Sequence, residues 1–329
     1  MKKILTAFIL LLLLAALTAS IRYGRTHEIH TTSIFLTDVF IELKAMGTQS
    51  ETGEAMKKAV AELKRIDARL GHKDSLIDEL NRKHVIRDRE VFHLLRVSRE
   101  VHDDSSGAFS VTLRPLLDAW GFTGNGAYHM PSPSEFEAWR ETGKDESVRL
   151  HGDGMTIETL QGTKVDIGGT IEGYAADRAR EVMKACGIRT GLIDVGGEVS
   201  AFGDRVWRIG LKNPRGEGVF AVIPIKNRAV ATSGDYERFF MENGLRYCHI
   251  LDPSTGMPAQ IGMSSTVIAD TCTQANAWAV ALFVSGPEKL GPVLEKKGMD
   301  WIFVDSRGRI HASRAMRAHC PDRIPVSAP

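Results

Sequence analysis

The chain has 329 residues, and its 42 Lys and Arg nearly balance its 41 Asp and Glu, so the formal net charge is +1. With 43% hydrophobic and 25% charged residues, the composition is that of a globular protein and excludes a disordered or fibrous chain. The balanced charge gives no support to a nucleic-acid-binding surface or an acidic tail. Four cysteines, Cys186, Cys248, Cys272 and Cys320, lack the spacing of a zinc or iron–sulfur site and are predicted to be free buried thiols, with disulfides an alternative in an exported protein.

The chain begins with a predicted targeting segment, residues 1–23. Lys2 and Lys3 precede the uncharged run ILTAFILLLLLAALTA, and Arg22 follows it. This order is typical of a signal peptide, and the run is shorter than the roughly 20 residues that span a bilayer comfortably. A cleaved signal peptide and an uncleaved membrane anchor remain equal alternatives, and both predict an exported protein.

Hydrophobic periodicity predicts the elements of the first half of the chain. Gly71 is a plausible helix stop, because glycine readily adopts the left-handed conformation that ends many helices. The predicted elements are a strand over 33–47, helices over 51–71 and 88–105, a short helix or turn over 111–122, a loop leading into a helix over 124–141, and strands over 147–151 and 154–158.

The second half alternates strands with a few helices. This mixed order predicts an α+β or α/β fold with a mixed, largely antiparallel sheet flanked by helices. No linker divides the chain, so residues 30–315 are treated as one unit and 316–329 as a C-terminal tail. The predicted elements are a helix from near Glu172, strands over 190–197, 206–214, 218–225, 228–236, 245–256 and 264–270, a helix over 271–286 and a hairpin over 300–313.

A pair of glycines, Gly168 and Gly169, follows Asp166 between a predicted strand and a helix. Helix N-termini carry unpaired N–H groups and partial positive charge, and glycine lets a ligand approach the backbone closely. Together these features favour a phosphate site. A tight turn without a ligand is the alternative interpretation. The same two interpretations apply to the related DVGG at 194–197.

Two further segments carry candidate polar groups. ATSGDY, residues 231–236, places small and polar residues where a strand ends, and Ser233 and backbone N–H groups there can bind an anion. HILDPSTG, residues 249–256, places His249 three residues before the Asp–Pro turn of Asp252. Taken alone, Asp252 is predicted to cap its turn and His249 to be a core histidine.

Several sequence blocks, in order and at matching spacing, resemble the ApbE family of FAD:protein FMN transferases across residues 30–315. The resemblance implies an α/β fold related to the T-fold and an exported or lipid-anchored bacterial protein at the periplasmic side of the inner membrane. It also implies a Mg²⁺-dependent transfer of FMN from FAD onto a Thr or Ser hydroxyl of a membrane or periplasmic electron-transfer protein, with release of AMP. The blocks are GAFSVTLRPLLDAWGF, VDIGGTIEGYAADRA, DVGGEVSAFG, WRIGLKNP, VATSGDYERFF, YCHILDPSTGMP and VALFVSG.

The resemblance also assigns roles to residues of this chain. His249 is the implied general base, and Asp252 would orient it or cap its turn. The implied phosphate contacts are Gly168, Gly169, Ser233 and Gly234; the implied flavin or adenosine contacts are Asn81, Asp166, Asp235 and Tyr236; and the implied metal positions are the Ile171 carbonyl, Asn276 and Val280.

Four residues depart from the family pattern. Glu172 replaces a Lys, Asn276 an Asp and Val280 a Thr, and Ser110 replaces the Asp of the family's GAFD block. Residues 276 and 280 share a helix face, and a valine side chain cannot bind Mg²⁺. Glu172 then has three interpretations: a cofactor-site carboxylate that compensates for Asn276, a sign of a decayed metal site, or a solvent-facing acid near a helix N-terminus. The alternatives to a transferase are an FAD pyrophosphatase and a non-catalytic flavin-delivery module.

Overall fold

The computed structural model describes residues 28–36, 39–71, 74–124 and 128–324. The targeting segment predicted over residues 1–23 lies outside these ranges. Within the described part of the chain, no helix is both long enough and apolar enough to traverse a membrane.

The main sheet has eight strands in the order β1-β2-β6-β7-β10-β13-β14-β15. All strand pairings among the described residues are antiparallel. The strands are β1 Ile29–Leu36, β2 Val39–Met46, β3 Val85–Arg87, β4 Val148–Leu150, β5 Thr156–Thr159, β6 Gly191–Val195, β7 Glu198–Phe202, β8 Trp207–Lys212, β9 Val219–Ile225, β10 Ala229–Gly234, β11 Phe239–Glu242, β12 Leu245–Cys248, β13 Gly262–Ala269, β14 Asp300–Asp305 and β15 Ile310–Ala312.

Side-chain caps define the starts of several helices. Thr48 and Glu51 form a reciprocal capping box at the first helix. Asp88 accepts hydrogen bonds from two backbone N–H groups at the third. The helices are α1 Gln49–Ile66, which continues as a π-helical turn Asp67–Gly71, α2 Leu76–Lys83, α3 Arg89–Asp104, α4 Arg114–Ala119, α5 Pro133–Thr142, α6 Gly168–Ala185, α7 Cys272–Ser285 and α8 Pro287–Lys296.

The main sheet separates two hydrophobic cores. Successive side chains of a strand point to opposite faces. Ala229 and Ala231 therefore join the core under the helices, whereas Val230 joins the core shared with the β8–β9 hairpin. All eight residues of β13 are buried, as expected of a strand covered on both faces.

The fold class predicted from the sequence is confirmed, with some boundaries corrected. The segment 33–47 forms two strands rather than one, and their register places Leu36 opposite Val39. The alternation changes phase between the two strands, because the exposed positions of β1 are odd-numbered whereas the buried positions of β2 are odd-numbered. The three strands predicted over 206–236 are also not consecutive in one sheet, because β8 and β9 form a separate hairpin.

Helix α6 begins at Gly168, four residues before the predicted start near Glu172. Glycine is a poor helix former, so the sequence predicts a turn at Gly168 and Gly169. In the structure, packing decides the boundary. A Cβ at Gly169 would lie 2.8 Å from the Phe109 ring, so the helix start fits closely against this side chain.

The C-terminal segment predicted as a tail from residue 316 packs onto the fold as far as the structure describes it. Ile324 is 2% exposed and belongs to the core beside the β8–β9 hairpin. The N–H of Ile324 donates to the Gly308 carbonyl at 2.9 Å. All four cysteines are free thiols as predicted, but only Cys248 and Cys272 are buried, whereas Cys186 and Cys320 are half-buried.

Candidate active site

The candidate site lies at the edge of the main sheet where β7 begins and β10 ends. Val230 pairs with Val199 in antiparallel register. Glu198 at the start of β7 and Gly234 at the end of β10 therefore reach the same edge. Glu172 of α6 is close enough for its negative charge to help raise the pKa of Glu198. Residues from β7, β10 and α6, which are distant in the sequence, therefore lie close together at this edge.

The DVGG segment is a hairpin turn between β6 and β7. Gly196 and Gly197 have φ angles of +67° and +104°, which L-residues with side chains rarely adopt. The N–H of Gly197 donates to Oδ1 of Asp194 at 2.8 Å. Two positive φ angles are typical of tight two-residue hairpin connections. Backbone geometry therefore explains these glycines without a ligand.

The start of α6 offers fewer free N–H groups than the sequence indicates. Oδ1 of Asp166 accepts the N–H of Gly168 at 2.8 Å, and the N–H groups of Thr170 and Ile171 both donate to the Ile167 carbonyl. Gly168 is exposed, so a ligand can still approach its backbone. Asp166 therefore positions the glycine turn directly, and its carboxylate already occupies part of the helix N-terminus.

The next residues of α6 are constrained by packing. Ile171 lies inside the helix, where its carbonyl faces the N–H four residues later and keeps only one lone pair for a ligand. Val280 is partly buried against the small core around Phe283. A Cβ at Gly169 would come within 3.5 Å of Val280. Val280 therefore marks the metal-binding face expected from the resemblance but contributes only apolar packing.

Glu172 lies in the second turn of α6, and its side chain is half-buried. Burial raises the pKa of Glu172, and the charges of Asp166 and Glu237 raise it further, while Arg238 opposes them. The side chain is half-buried rather than fully exposed, which favours a carboxylate facing the predicted cofactor site over a solvent-facing acid near the helix terminus.

Asn276 of α7 contacts Glu198, a residue that the sequence analysis did not single out. Nδ2 of Asn276 donates to Oε1 of Glu198 at 3.3 Å. Oδ1 of Asn276 is buried and has no hydrogen-bond partner in the described part of the chain. Burial is the main cause that raises the pKa of Glu198 well above its usual range. The separation of 78 residues explains why no local motif revealed this pair.

The end of β10 brings Ser233 and Gly234 to the same edge in largely buried positions. A Cβ at Gly234 would lie 2.3 Å from the Tyr236 ring, so glycine is needed for this ring to pack against the strand. Nζ of Lys212 lies 4.8 Å from the centroid of the same ring. Burial raises the pKa of Tyr236, so its hydroxyl remains protonated at neutral pH.

Asp235 is held in a buried ion pair. Arg215 donates Nη1 to Oδ1 at 2.7 Å and Nη2 to Oδ2 at 2.5 Å. The Asp235 N–H also donates to the Met263 carbonyl. Both carboxylate oxygens are thus already engaged, which favours a positioning role over direct contact with flavin. No local sequence signal identifies Arg215 as the partner of Asp235, because the two residues are 20 positions apart.

His249 follows β12 and presents one ring nitrogen for chemistry. Nδ1 lies 3.3 Å from the Arg238 carbonyl oxygen, which can only accept a hydrogen bond. Nδ1 must therefore carry the proton, and Nε2 is left as the basic nitrogen. Burial lowers the pKa of His249 to about 3, with the Arg238 charge adding to the effect. The imidazole is therefore neutral at neutral pH, and its Nε2 carries no proton.

Asp252 caps its turn, which is one of the two roles left open by the sequence. Oδ1 accepts the Ser254 N–H at 2.8 Å and the Ser254 hydroxyl at 2.7 Å. The Asp252 carbonyl accepts the Gly256 N–H at 2.7 Å. In the described residues, no hydrogen bond joins Asp252 to His249. The imidazole is oriented instead by the backbone of Arg238.

Asn81 positions the irregular segment that leads into Asp166, where the sequence predicts a strand. Its Nδ2 donates to the Val165 carbonyl at 2.9 Å, and its Oδ1 accepts the Val165 N–H at 2.6 Å. This two-point clamp fixes the backbone one residue before Asp166. The structure therefore gives the Asn81 amide a positioning role next to the predicted flavin site.

Asp177 of α6 anchors α7 and was also missed by the sequence analysis. Its carboxylate accepts the backbone N–H groups of Cys272 and Thr273, each at 2.9 Å, together with the Thr273 hydroxyl at 2.8 Å. The Ser200 hydroxyl of β7 also donates to it. One buried carboxylate thereby fixes the start of α7, the helix that carries Asn276.

We expect Asp177→Ala to lower the free energy of unfolding by about 2–4 kcal/mol, because buried N–H groups at the α7 terminus lose their acceptor. Urea unfolding of the purified chain measures the loss. Asp177→Asn keeps one acceptor oxygen and should lose less. An Ala variant with the wild-type urea midpoint would show that water replaces the carboxylate without cost.

Comparison with known proteins decides the family. The sequence matches the ApbE family over residues 36–303. This match spans most of the chain. The chain belongs to the ApbE family. The family predicted from the sequence blocks is therefore confirmed.

Relatives and solved structures agree with this assignment. The chain is 31% identical to the FAD:protein FMN transferase of Treponema pallidum over 74% of this chain and 72% of that protein. It is 31% identical to the Salmonella typhimurium protein of the same name, over 62% of this chain and 61% of that protein. The structure is similar to the ApbE protein of Thermotoga maritima, with a TM-score of 0.82, 31% identity and coverage of 89% of this chain and 100% of that one. The apo form of Pseudomonas stutzeri flavinyl transferase ApbE gives a TM-score of 0.79 at 26% identity, covering 89% of this chain and 97% of that one. The Treponema, Salmonella and Pseudomonas proteins are named as enzymes of flavin transfer, the class of enzyme that the sequence predicts.

Proposed function

We propose that this protein transfers FMN from FAD onto a Thr or Ser hydroxyl of a target electron-transfer protein and releases AMP. The observation that carries the proposal is the tautomer of His249. Its Nδ1 faces the Arg238 carbonyl, which leaves Nε2 as a base beside the candidate site. The names of the relatives supply the reaction class, and the site supplies a group suited to it.

The proposed step is a phosphoryl transfer in which His249 accepts the proton of the attacking hydroxyl. The hydroxyl oxygen forms a bond to the phosphorus of the FMN half of FAD. The bond from that phosphorus to the bridging oxygen breaks, and AMP leaves with the electron pair. A positioned general base of this kind typically contributes about 10²–10⁴-fold to the rate.

The phosphates of FAD would lie between the start of α6 and the end of β10. The exposed backbone at Gly168 leaves room for close approach on one side, and the hydroxyl of Ser233 would contribute on the other. Arg238 is the cation whose charge acts on both Glu172 and His249. Catalysis of phosphoryl transfer depends mainly on such positioning and on charge neutralisation.

The donor set fits Mg²⁺, which prefers oxygen ligands and commonly takes only one or two carboxylates from the protein. Glu198 offers a carboxylate, and the buried Oδ1 of Asn276 offers an amide oxygen without a partner among the described residues. When bound, Mg²⁺ would neutralise charge on the pyrophosphate. Glu198 and Asn276 would hold it, with Val280 only packing alongside.

The two alternatives from the sequence analysis are distinguished in one experiment. The purified full-length chain is incubated with FAD, Mg²⁺ and acceptor domains that carry a Thr site, and AMP and the acceptor mass are followed together. Transfer predicts one AMP for each acceptor that gains the mass of FMN. AMP and free FMN with an unchanged acceptor mark a pyrophosphatase, and bound FAD that stays intact marks a flavin-delivery module.

We also propose that the protein acts on the exported side of the bacterial inner membrane, close to a membrane or periplasmic electron-transfer subunit. Support comes from the sequence alone, where Lys2 and Lys3 precede a long uncharged run. Cell fractionation with protease added to spheroplasts tests this placement. A chain protected from protease in intact spheroplasts would contradict it.

A further inference from the structure

A buried carboxylate that the proposed phosphoryl transfer does not use, that of Asp145, binds the segment 109–112. Asp145 begins a short 3₁₀ turn between α5 and β4 and is 6% exposed. Its Oδ2 accepts the Ser110 hydroxyl at 2.5 Å and the Thr112 hydroxyl at 3.4 Å, and its Oδ1 accepts the Val111 N–H at 3.3 Å. Burial of a carboxylate is unfavourable unless hydrogen bonds replace the lost water, and these three donors replace it.

Further contacts fix the same segment, which has no regular secondary structure of its own. The Ser110 hydroxyl oxygen accepts the Thr112 N–H at 3.1 Å. Nδ1 of His102 lies 2.8 Å from the Phe109 carbonyl oxygen, to which it donates, and 3.5 Å from Oδ2 of Asp145. The position of the segment is therefore set by side-chain contacts centred on Asp145 rather than by a helix or a sheet.

The segment contacts the glycine turn at the start of α6 at two points. The Val111 carbonyl accepts the Asp166 N–H at 2.8 Å, and Oδ1 of Asp166 in turn accepts the Gly168 N–H at 2.8 Å. The Phe109 ring packs against Gly169 so closely that a Cβ there would lie 2.8 Å away. A shift of the segment would therefore shift the turn, through a hydrogen bond and through packing.

We propose that Asp145 is a positioning residue for the FAD phosphate site. Through the segment 109–112 it holds the glycine turn, residues 166–169, in the geometry in which the backbone meets the pyrophosphate. In the described part of the chain, no hydrogen bond joins Asp145 to the turn itself, so its effect is indirect. The identity of the ligand rests on the proposed function, whereas the contacts that hold the turn do not. Small displacements matter at such a site, because a misplacement of 1 Å can cost roughly 100-fold in rate.

The first measurement needs no flavin. Hydrogen exchange of single backbone amides is followed in the full chain, for wild type and Asp145→Ala. Exchange of the Val111 N–H should be roughly 5–150-fold faster in the variant, the range that corresponds to the loss of an acceptor by a buried donor. Exchange of the Asp166 and Gly168 N–H groups should accelerate with it, because the turn is held through the Val111 carbonyl.

The second measurement is FAD affinity, read from flavin fluorescence without an acceptor. Asp145→Ala should weaken FAD binding by about 2–30-fold, the range for residues that act on a site through their neighbours. The double change Ser110→Asp with Asp145→Ser exchanges two groups that are 2.5 Å apart, so one hydroxyl still meets one carboxylate. It should recover most of the affinity. Glu146→Gln, at the exposed next position, is the matched control and should leave exchange and affinity unchanged.

The outcomes separate this role from general stability and from the proposed function. A folded Asp145→Ala variant with wild-type exchange at the turn or wild-type FAD affinity overturns the inference, and so does exchange that accelerates equally throughout α6 and the main sheet. If circular dichroism shows that Asp145→Ala does not fold, Ser110→Ala replaces it, and unchanged exchange at Asp166 and Gly168 then overturns the inference. Local acceleration in a chain that binds no FAD supports the positioning of the turn and contradicts the proposed function instead.

Discussion

Replacing His249 with Gln is expected to lower the rate of FMN transfer by about 10²–10⁴-fold, because a glutamine amide cannot accept the proton of the attacking hydroxyl. FAD affinity should change little, since the role assigned to Nε2 is proton transfer. Single-turnover kinetics, with the acceptor mass as readout, measure the rate, and flavin fluorescence measures the affinity.

His151→Gln is the matched control for this change. His151 lies on the β4–β5 hairpin with 47% of its side chain exposed, away from the predicted chemistry. It should transfer FMN at the wild-type rate. A His249→Gln enzyme that keeps more than about a tenth of the wild-type rate would remove His249 as the base, because the loss would be smaller than general-base catalysis typically contributes.

The imidazole of His249 should remain neutral far below the usual range for histidine. Burial lowers its pKa to about 3, whereas an ordinary histidine titrates near pH 6.5. Because the neutral form is the base, His249 keeps its function as the pH falls through 6.5 and loses it only as the pH approaches 3. Nitrogen chemical shifts of the labelled imidazole, assigned with His249→Gln, measure this directly. Titration between pH 6 and 7 would contradict the described burial.

Gly173→Ala is expected to lower the free energy of unfolding by about 1–3 kcal/mol or more, which is the cost of overpacking. A Cβ at Gly173 would lie 2.4 Å from the Cys272 carbonyl oxygen and 2.9 Å from the Thr273 nitrogen. Both are backbone atoms at the start of α7 and cannot rotate away. Because α6 carries Glu172 and α7 carries Asn276, the rate of FMN transfer should fall together with stability. Urea unfolding and the transfer assay measure the two effects.

Gly53→Ala provides the contrasting control. Gly53 lies inside α1, and nothing would contact a Cβ within 4 Å. Alanine favours a helix interior over glycine, so this variant should gain about 0.5–1 kcal/mol. If Gly173→Ala also leaves stability unchanged or raises it, the close contact between α6 and α7 does not limit the fold.

Much of the fold was predictable because local patterns and tertiary packing agree. The amphipathic periods of α1 and α3 matched the structure, and both helices begin at side-chain caps that the sequence contains. The prediction failed where packing overrides propensity. The glycine pair Gly168–Gly169 at the start of α6 is typical of a turn when only the sequence is considered. The structure shows that the Phe109 ring leaves no room for a larger side chain at Gly169.

The site was predictable only in part. Sequence blocks located His249 and the segment around Gly234, but the contacts that define their roles come from distant residues. Asn276 meets Glu198 across 78 positions, and Asp177 reaches the start of α7 across 95. No spacing rule covers such distances. The sequence likewise could not show whether Glu172 faces solvent, since this depends on how α6 packs against the sheet edge.

The central claim is that a protein hydroxyl, rather than water, attacks the FMN phosphorus of FAD. The most direct measurement runs the reaction with FAD, Mg²⁺ and an acceptor in water enriched in ¹⁸O, followed by mass spectrometry of all flavin products. The account predicts FMN attached to the acceptor, an equal amount of AMP, and no ¹⁸O in the flavin phosphate or in AMP. Free FMN or AMP carrying ¹⁸O, with an unmodified acceptor, would contradict it.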